Sequence, residues 1–269
     1  MEDPGPSRDR DTRHRLALDH VLGLIAGAGW SSCLVLRGSM LMTAYAGSAA
    51  RKPGDLDFIV IKDGWPAEGA AFEDLHRLIR ENPRVGAGVV LEAEQFGDSG
   101  DWTYADYAMR GTRLTVPWRV EGTEGTEGTG STGSTEGTDV CGTVQMDFAM
   151  DEPMPALPSW TRIPRLDGGF SVVLAASAEL SLVWKLMWLM EDSKEGISRG
   201  KDLYDAVVLA ELDSLREGIR AGGSAQAGLR RRDVEGWEVA WNAFVAENPE
   251  VQGSLEQWKQ RLVDALGLA

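Results

Sequence analysis

The chain has 269 residues, 43% of them apolar and 26% charged, with 10 Trp. That suffices for one large domain or two small ones, and it excludes a wholly disordered chain, a collagen-like fibre and a small disulfide scaffold. A formal charge of −15 argues against a protein that coats nucleic acid, because phosphate neutralisation needs Lys and Arg.

The N-terminus, MEDPGPSRDRDTRHR, is charged, holds Pro and Gly and has no secretory core, so residues 1–15 read as a disordered tail. Leu16–Gly27 has helical spacing. Cys33-Leu34-Val35-Leu36 is a short apolar run that reads as a buried strand. Arg37-Gly38-Ser39 interrupts it, and Met40–Ala46 reads as helix. Leu56–Ile61 is a second strand and Phe72–Arg80 an amphipathic helix. Val89–Leu91, Tyr104–Met109, Arg113–Val120 and Val144–Met150 are further strand candidates. Residues 121–139, EGTEGTEGTGSTGSTEGTD, cannot bury apolar surface and read as a flexible loop joining two strands that would otherwise form a hairpin. Pro153, Pro155, Pro158 and Pro164 mark a boundary. Beyond it the pattern is helical, over Ala175–Glu191, Lys201–Arg220, Arg231–Glu247 and Leu255–Leu268. The most apolar run, Leu174–Met190, carries Glu179 and Lys185 and is barely long enough to span a membrane. Two Cys imply no disulfide framework and three scattered His no zinc site. The expected compartment is the cytoplasm.

Three features of the first part fit one another. A strand ends in Gly38-Ser39 before a helix, where glycine permits close approach of a ligand and the helix start offers N–H groups to an anion. Asp55 and Asp57, two apart on a strand, share one face, while Leu56, Phe58 and Val60 point to the core. Paired carboxylates repel one another unless a cation lies between them, and oxygen donors suit Mg²⁺. Asp147 likewise interrupts the apolar strand Val144-Gln145-Met146-Asp147-Phe148-Ala149-Met150. If the two strands are neighbours, three carboxylates converge and can hold two Mg²⁺ for attack of a hydroxyl on a nucleoside triphosphate.

Gly38-Ser39, Arg51 and Asp55-Leu56-Asp57-Phe58 resemble the signature of the nucleotidyltransferase superfamily with a DNA-polymerase-β-like fold. The sequence departs from that signature in a longer gap between Ser39 and Asp55 and in Pro53. Farther on, Lys185 stands alone in the apolar run Leu182–Met190, and Gly200-Lys201-Asp202-Leu203-Tyr204-Asp205 opens the next helix. On the residues alone, Lys185 either snorkels to solvent or reaches a phosphate, and Asp202 and Asp205 share a face on which Lys201 can pair with Asp205. The Lys helix followed by a basic-Asp-x-x-Asp segment is similar to the AbiEii/AbiGii toxin family of nucleotidyltransferases.

The resemblance implies a mixed α/β nucleotidyltransferase domain over residues 16–158 and a helical domain over 159–269. It implies that Gly38 and Ser39 hold the triphosphate, that Asp55 and Asp57 bind the metal ions, and that Lys185 contacts phosphate. Asp202 and Asp205 would form the second acidic motif. Asp147 completes the metal set by the strand argument, and Arg51 is a phosphate contact or the partner of an Asp. The implied reaction is transfer of a nucleotide from a nucleoside triphosphate to an acceptor hydroxyl, in some members the 3′ end of tRNA, by a toxin acting beside an antitoxin. Two alternatives differ in class. One is modification of a small molecule such as an antibiotic, favoured by the eight acidic residues and the absence of Lys and Arg between Arg119 and Arg162. The other is a non-catalytic binding protein on the same fold, which would not need the three carboxylates.

Overall fold

The computed structural model describes residues 6–66, 69–104, 109–121, 141–150, 152–196, 198–215 and 228–268. The expected loop at 121–139 lies, apart from Glu121, outside them. The chain divides into two compact units. The first comprises Met1–Met40, Lys52–Pro153 and Trp160–Ala175; the second comprises Leu41–Arg51, Met154–Ser159 and Ala176–Ala269.

The first unit is built on a nine-stranded mixed sheet. Its strands are β1 (Leu34–Arg37), β2 (Leu56–Val60), β3 (Arg84–Gly86), β4 (Val89–Leu91), β5 (Gly97–Tyr104), β6 (Met109–Val120), β7 (Cys141–Ala149), β8 (Ser159–Pro164) and β9 (Phe170–Ala175). They run in the order β3-β4-β6-β7-β2-β1-β9-β8, with β5 paired to β6. β6 and β7 form the antiparallel pair expected across the low-complexity segment, from Gly111↔Ala149 to Arg119↔Cys141. β2 lies parallel to β7 and antiparallel to β1. Helix α1 (Pro6–Gly27) packs on the sheet, and α3 (Ala70–Glu81) packs on α1. Phe72 of α3 meets the Phe148 ring at 5.0 Å, and Phe148 stacks on Phe58 at 5.5 Å. Phe58 and Phe148 alternate with Asp57 and Asp147, so α3 covers one sheet face and the carboxylates occupy the other.

Helix α2 (Gly38–Ala46) begins in the first unit and continues in the second. The second unit further contains α4 (Ala178–Glu195), α5 (Gly200–Ala210), α6 (Arg231–Gly236), α7 (Trp241–Glu247) and α8 (Leu255–Leu266). Ser177 starts α4 by accepting a hydrogen bond from the Leu180 amide at 3.1 Å. Tyr204, Trp241, Phe244 and Trp258 form an aromatic knot with ring centroids 4.9–5.5 Å apart. That knot explains the Trp-rich C-terminal sequence as core.

Several expectations need correction. The helix begins at Pro6, so residues 6–15 are not tail. Pro is compatible with a first helical position, and Arg13–Asp9 and Arg15–Asp19 pairs four apart support the turn that follows. Of the strand expected over Tyr104–Met109, Tyr104 closes β5 and Met109 opens β6, the two facing each other, and residues 105–108 lie outside the described residues. Residues 159–175 are not helical but carry β8 and β9, and Trp160–Ala175 belongs with the first unit. The helix expected over Arg231–Glu247 breaks into α6 and α7, and α5 ends at Ala210.

Candidate active site

The acidic centre belongs to the first unit. Asp55 immediately precedes β2, Asp57 lies within it, and Asp147 is the register partner of Asp57 on β7. One carboxylate oxygen from each of the three lies within 4.8 Å of the others. All three residues are partly exposed, and a donor set of carboxylate oxygens alone fits Mg²⁺.

The glycine and serine that open α2 serve this centre. Gly38 has φ +74°, and a Cβ placed there would lie 2.0 Å from Oδ2 of Asp57. Only glycine leaves room for that carboxylate. Ser39 is buried; its hydroxyl donates to Oδ1 of Asp55 at 3.2 Å and accepts from the Gly54 amide at 3.4 Å. The Gly-Ser pair therefore shapes and pins the acidic pair, a role the sequence reading did not give it. Behind the same turn, Trp118 donates to Nδ1 of His14 at 3.3 Å, which leaves Nε2–H of His14 to donate to the Gly54 carbonyl at 3.1 Å. Gly38→Ala is expected to cost about 1–2 kcal/mol for the left-handed backbone alone. It should also push Asp57 out of place. A lowered melting temperature together with weakened Mn²⁺ binding checks both effects.

Two arginines flank the carboxylates. Arg37 faces Asp57 across β1 and β2, and Arg113 faces Asp147 across β6 and β7. Arg113 holds Asp147 with two bonds, Nε to Oδ1 at 2.7 Å and Nη2 to Oδ2 at 2.8 Å. Gln145 adds a third donor to Oδ2 at 3.2 Å. The bond to Asp147 keeps the Arg113 guanidinium above its ordinary pKa against partial burial, and the charges of Asp147, Asp55 and Asp57 act in the same direction. Arg37 is buried and paired with Glu152. In the sequence Arg113 figures only as the first residue of a strand candidate; its place beside Asp147 depends on strand register.

The remaining motif residues form a separate cluster in the second unit. Lys185 is buried, with its ammonium 2.7 Å from Oδ1 of Asp202 and 2.9 Å from Oδ2 of Asp205. It does not snorkel. Asp205, fully buried, also accepts from Arg51, whose Nε lies 3.1 Å from Oδ1 and whose Nη2 lies 3.2 Å from Oδ2. Arg51, expected as a phosphate contact or the partner of an Asp, is bonded here to Asp205. The pairing of Asp205 is with cations from outside its helix, in place of a surface pair with Lys201. Two cations and two carboxylates balance in this quartet.

A family model described as "Nucleotidyl transferase AbiEii toxin, Type IV TA system" matches residues 22–264. The chain belongs to this nucleotidyltransferase toxin family. No curated protein matches it. No helix among the described residues is long and apolar enough to cross a membrane.

Proposed function

We propose that the chain transfers a nucleotide from a nucleoside triphosphate to an acceptor hydroxyl, with divalent metal ions, as the toxin of a toxin–antitoxin pair. The observation that carries this reading is the convergence of Asp55, Asp57 and Asp147 within 4.8 Å on one sheet face, beside the start of α2. Asp55, Asp57 and Asp147 would hold two Mg²⁺, which supply charge compensation for the triphosphate and for the departing pyrophosphate. The first-turn amides of α2, at Gly38 and Ser39, offer N–H donors to the phosphates, as helix starts do. Ser39 keeps Asp55 in place through its hydroxyl, and Gly38 gives Asp57 its space. Asp147 would accept the proton of the attacking hydroxyl. Lys185, Asp202, Asp205 and Arg51 are carried over as nucleotide-site residues on the family pattern, with Lys185 as phosphate contact. A nucleoside triphosphate donor places the reaction in the cytoplasm.

The acceptor proposed first is the 3′ end of tRNA. The acidic, Lys- and Arg-free stretch between Arg119 and Arg162 favours a second reading, a cationic small molecule such as an aminoglycoside. The test is incubation with each labelled nucleoside triphosphate, Mg²⁺ and either total tRNA or an aminoglycoside. Labelled tRNA with release of pyrophosphate is the expected product. Labelled aminoglycoside would move the assignment to the second reading. No label on any acceptor and no pyrophosphate would overturn the transferase role proposed for these residues.

A further inference from the structure

Arg37, Asp57, Asp147 and Arg113 occupy one register row across four adjacent strands, β1, β2, β7 and β6. Directly paired residues project to the same face, so the row places a guanidinium at each end and two carboxylates in the middle, with Asp55 two residues along. The two arginines differ. Arg37 is buried and bound to Glu152, itself buried, at the strand end. The side chain of Arg113 is 42% exposed, and its partner Asp147 retains 13% exposure. Among Asp55, Asp57, Asp147, Glu152, Arg37 and Arg113, four carboxylates face two guanidiniums. The surplus of two negative charges matches one divalent ion with Arg113 in place. A second ion needs the carboxylate that Arg113 holds with both of its oxygens. Gln145 occupies a further acceptor position on the same carboxylate.

We propose that Arg113 is an exchangeable cation of the acidic centre. It compensates Asp147 before metal loading, is displaced when divalent metal occupies the site, and then passes its fork of N–H donors to the anionic phosphates of the bound nucleotide. The inference rests on the reading of Asp55, Asp57 and Asp147 as metal ligands. The half-exposed stem of Arg113 allows the swing, and a guanidinium fits a phosphate as well as it fits a carboxylate.

The test is Mn²⁺ binding to the full chain without nucleotide, followed by spin resonance, with Arg113→Gln and Arg113→Lys beside the wild type. Displacement predicts about tenfold tighter Mn²⁺ binding in Arg113→Gln, the equivalent of roughly 1.4 kcal/mol. Arg113→Lys, which keeps the charge but loses the two-bond grip, should fall between the two. Nucleotide affinity in the presence of Mn²⁺ should fall about tenfold in Arg113→Gln. Equal or weaker Mn²⁺ binding in Arg113→Gln overturns the proposal and makes Arg113 a pin that orients Asp147. Tighter binding in Arg113→Gln with no change in Arg113→Lys reduces the effect to a field of one charge and overturns displacement. Unchanged nucleotide affinity overturns the passage to the phosphates. Asp57→Asn separates the underlying reading: if it binds Mn²⁺ like the wild type, the ion does not sit on these carboxylates and the metal assignment fails with it.

Discussion

Asp57→Asn is expected to keep the fold and to lose on the order of 10²-fold or more in nucleotide transfer, since one preorganised electrostatic group is typically worth roughly 3 kcal/mol. The substitution preserves the shape of the side chain in the space left by Gly38 and removes only its charge. Asp57 is one of the two middle members of the row, with Asp147 opposite it on β7 and Arg37 opposite it on β1. Without its negative charge, Asp55 and Asp147 are too weak a pair to hold two ions. Stability should move the other way. Three carboxylates within 4.8 Å repel one another when no metal is bound, so melting in EDTA should be unchanged or slightly higher in the variant. The readouts are pyrophosphate release with Mg²⁺ and a supplied acceptor, and thermal melting with EDTA. Full activity in a normally folded Asp57→Asn would show that the chain does not work through these carboxylates.

The acidic centre was legible in the sequence because an Asp interrupts each of two strongly apolar strands. Asp57 between Leu56 and Phe58, and Asp147 between Met146 and Phe148, state which face turns from the core before any pairing is known. Their alignment at one register position is a tertiary fact. So is the arrival of Arg113, 34 residues before Asp147, on the neighbouring strand. The same limit hid the partner of Asp205. Lys201 was the near candidate on its own helix, whereas Arg51, 154 residues away, makes the bond. Gly38 was read for the closeness of a ligand, yet it is the carboxylate of Asp57 that fills the place of its side chain. β8 and β9 were lost for a different reason. Phe170–Ala175 runs directly into the apolar helix α4, and only Ser177, which caps that helix, marks the break.

Lys185→Met is expected to cost about 3–5 kcal/mol at neutral pH, the usual consequence of removing one partner from a buried ion pair. Met keeps the length of the apolar stem and removes the ammonium, leaving Asp202 and Asp205 buried with Arg51 as the cation on Asp205. Against a total stability of about 5–15 kcal/mol the change is large. Its pH dependence follows from the shifts. Burial opposes the charge on Lys185 most strongly, but Asp202 and Asp205 more than offset it and the ammonium titrates above its ordinary value. That contribution is fully present below the unfolded value of about 10.4 and is lost as pH rises through the folded one. For Asp205, burial raises the carboxyl first, and Lys185 and Arg51 more than reverse it, so it titrates low. Its contribution is present above the unfolded value of about 3.9 and lost as pH falls through the folded one. In Lys185→Met Asp205 loses the larger of the two cationic pulls and keeps that of Arg51, and protonation relieves a buried negative charge. The gap between wild type and variant should therefore be widest near neutral pH and narrow on acidification. Denaturant unfolding at a series of pH values measures it. A variant as stable as the wild type at pH 7 would deny the quartet its structural part, and a loss of nucleotide affinity in that same protein would assign Lys185 to the phosphates alone.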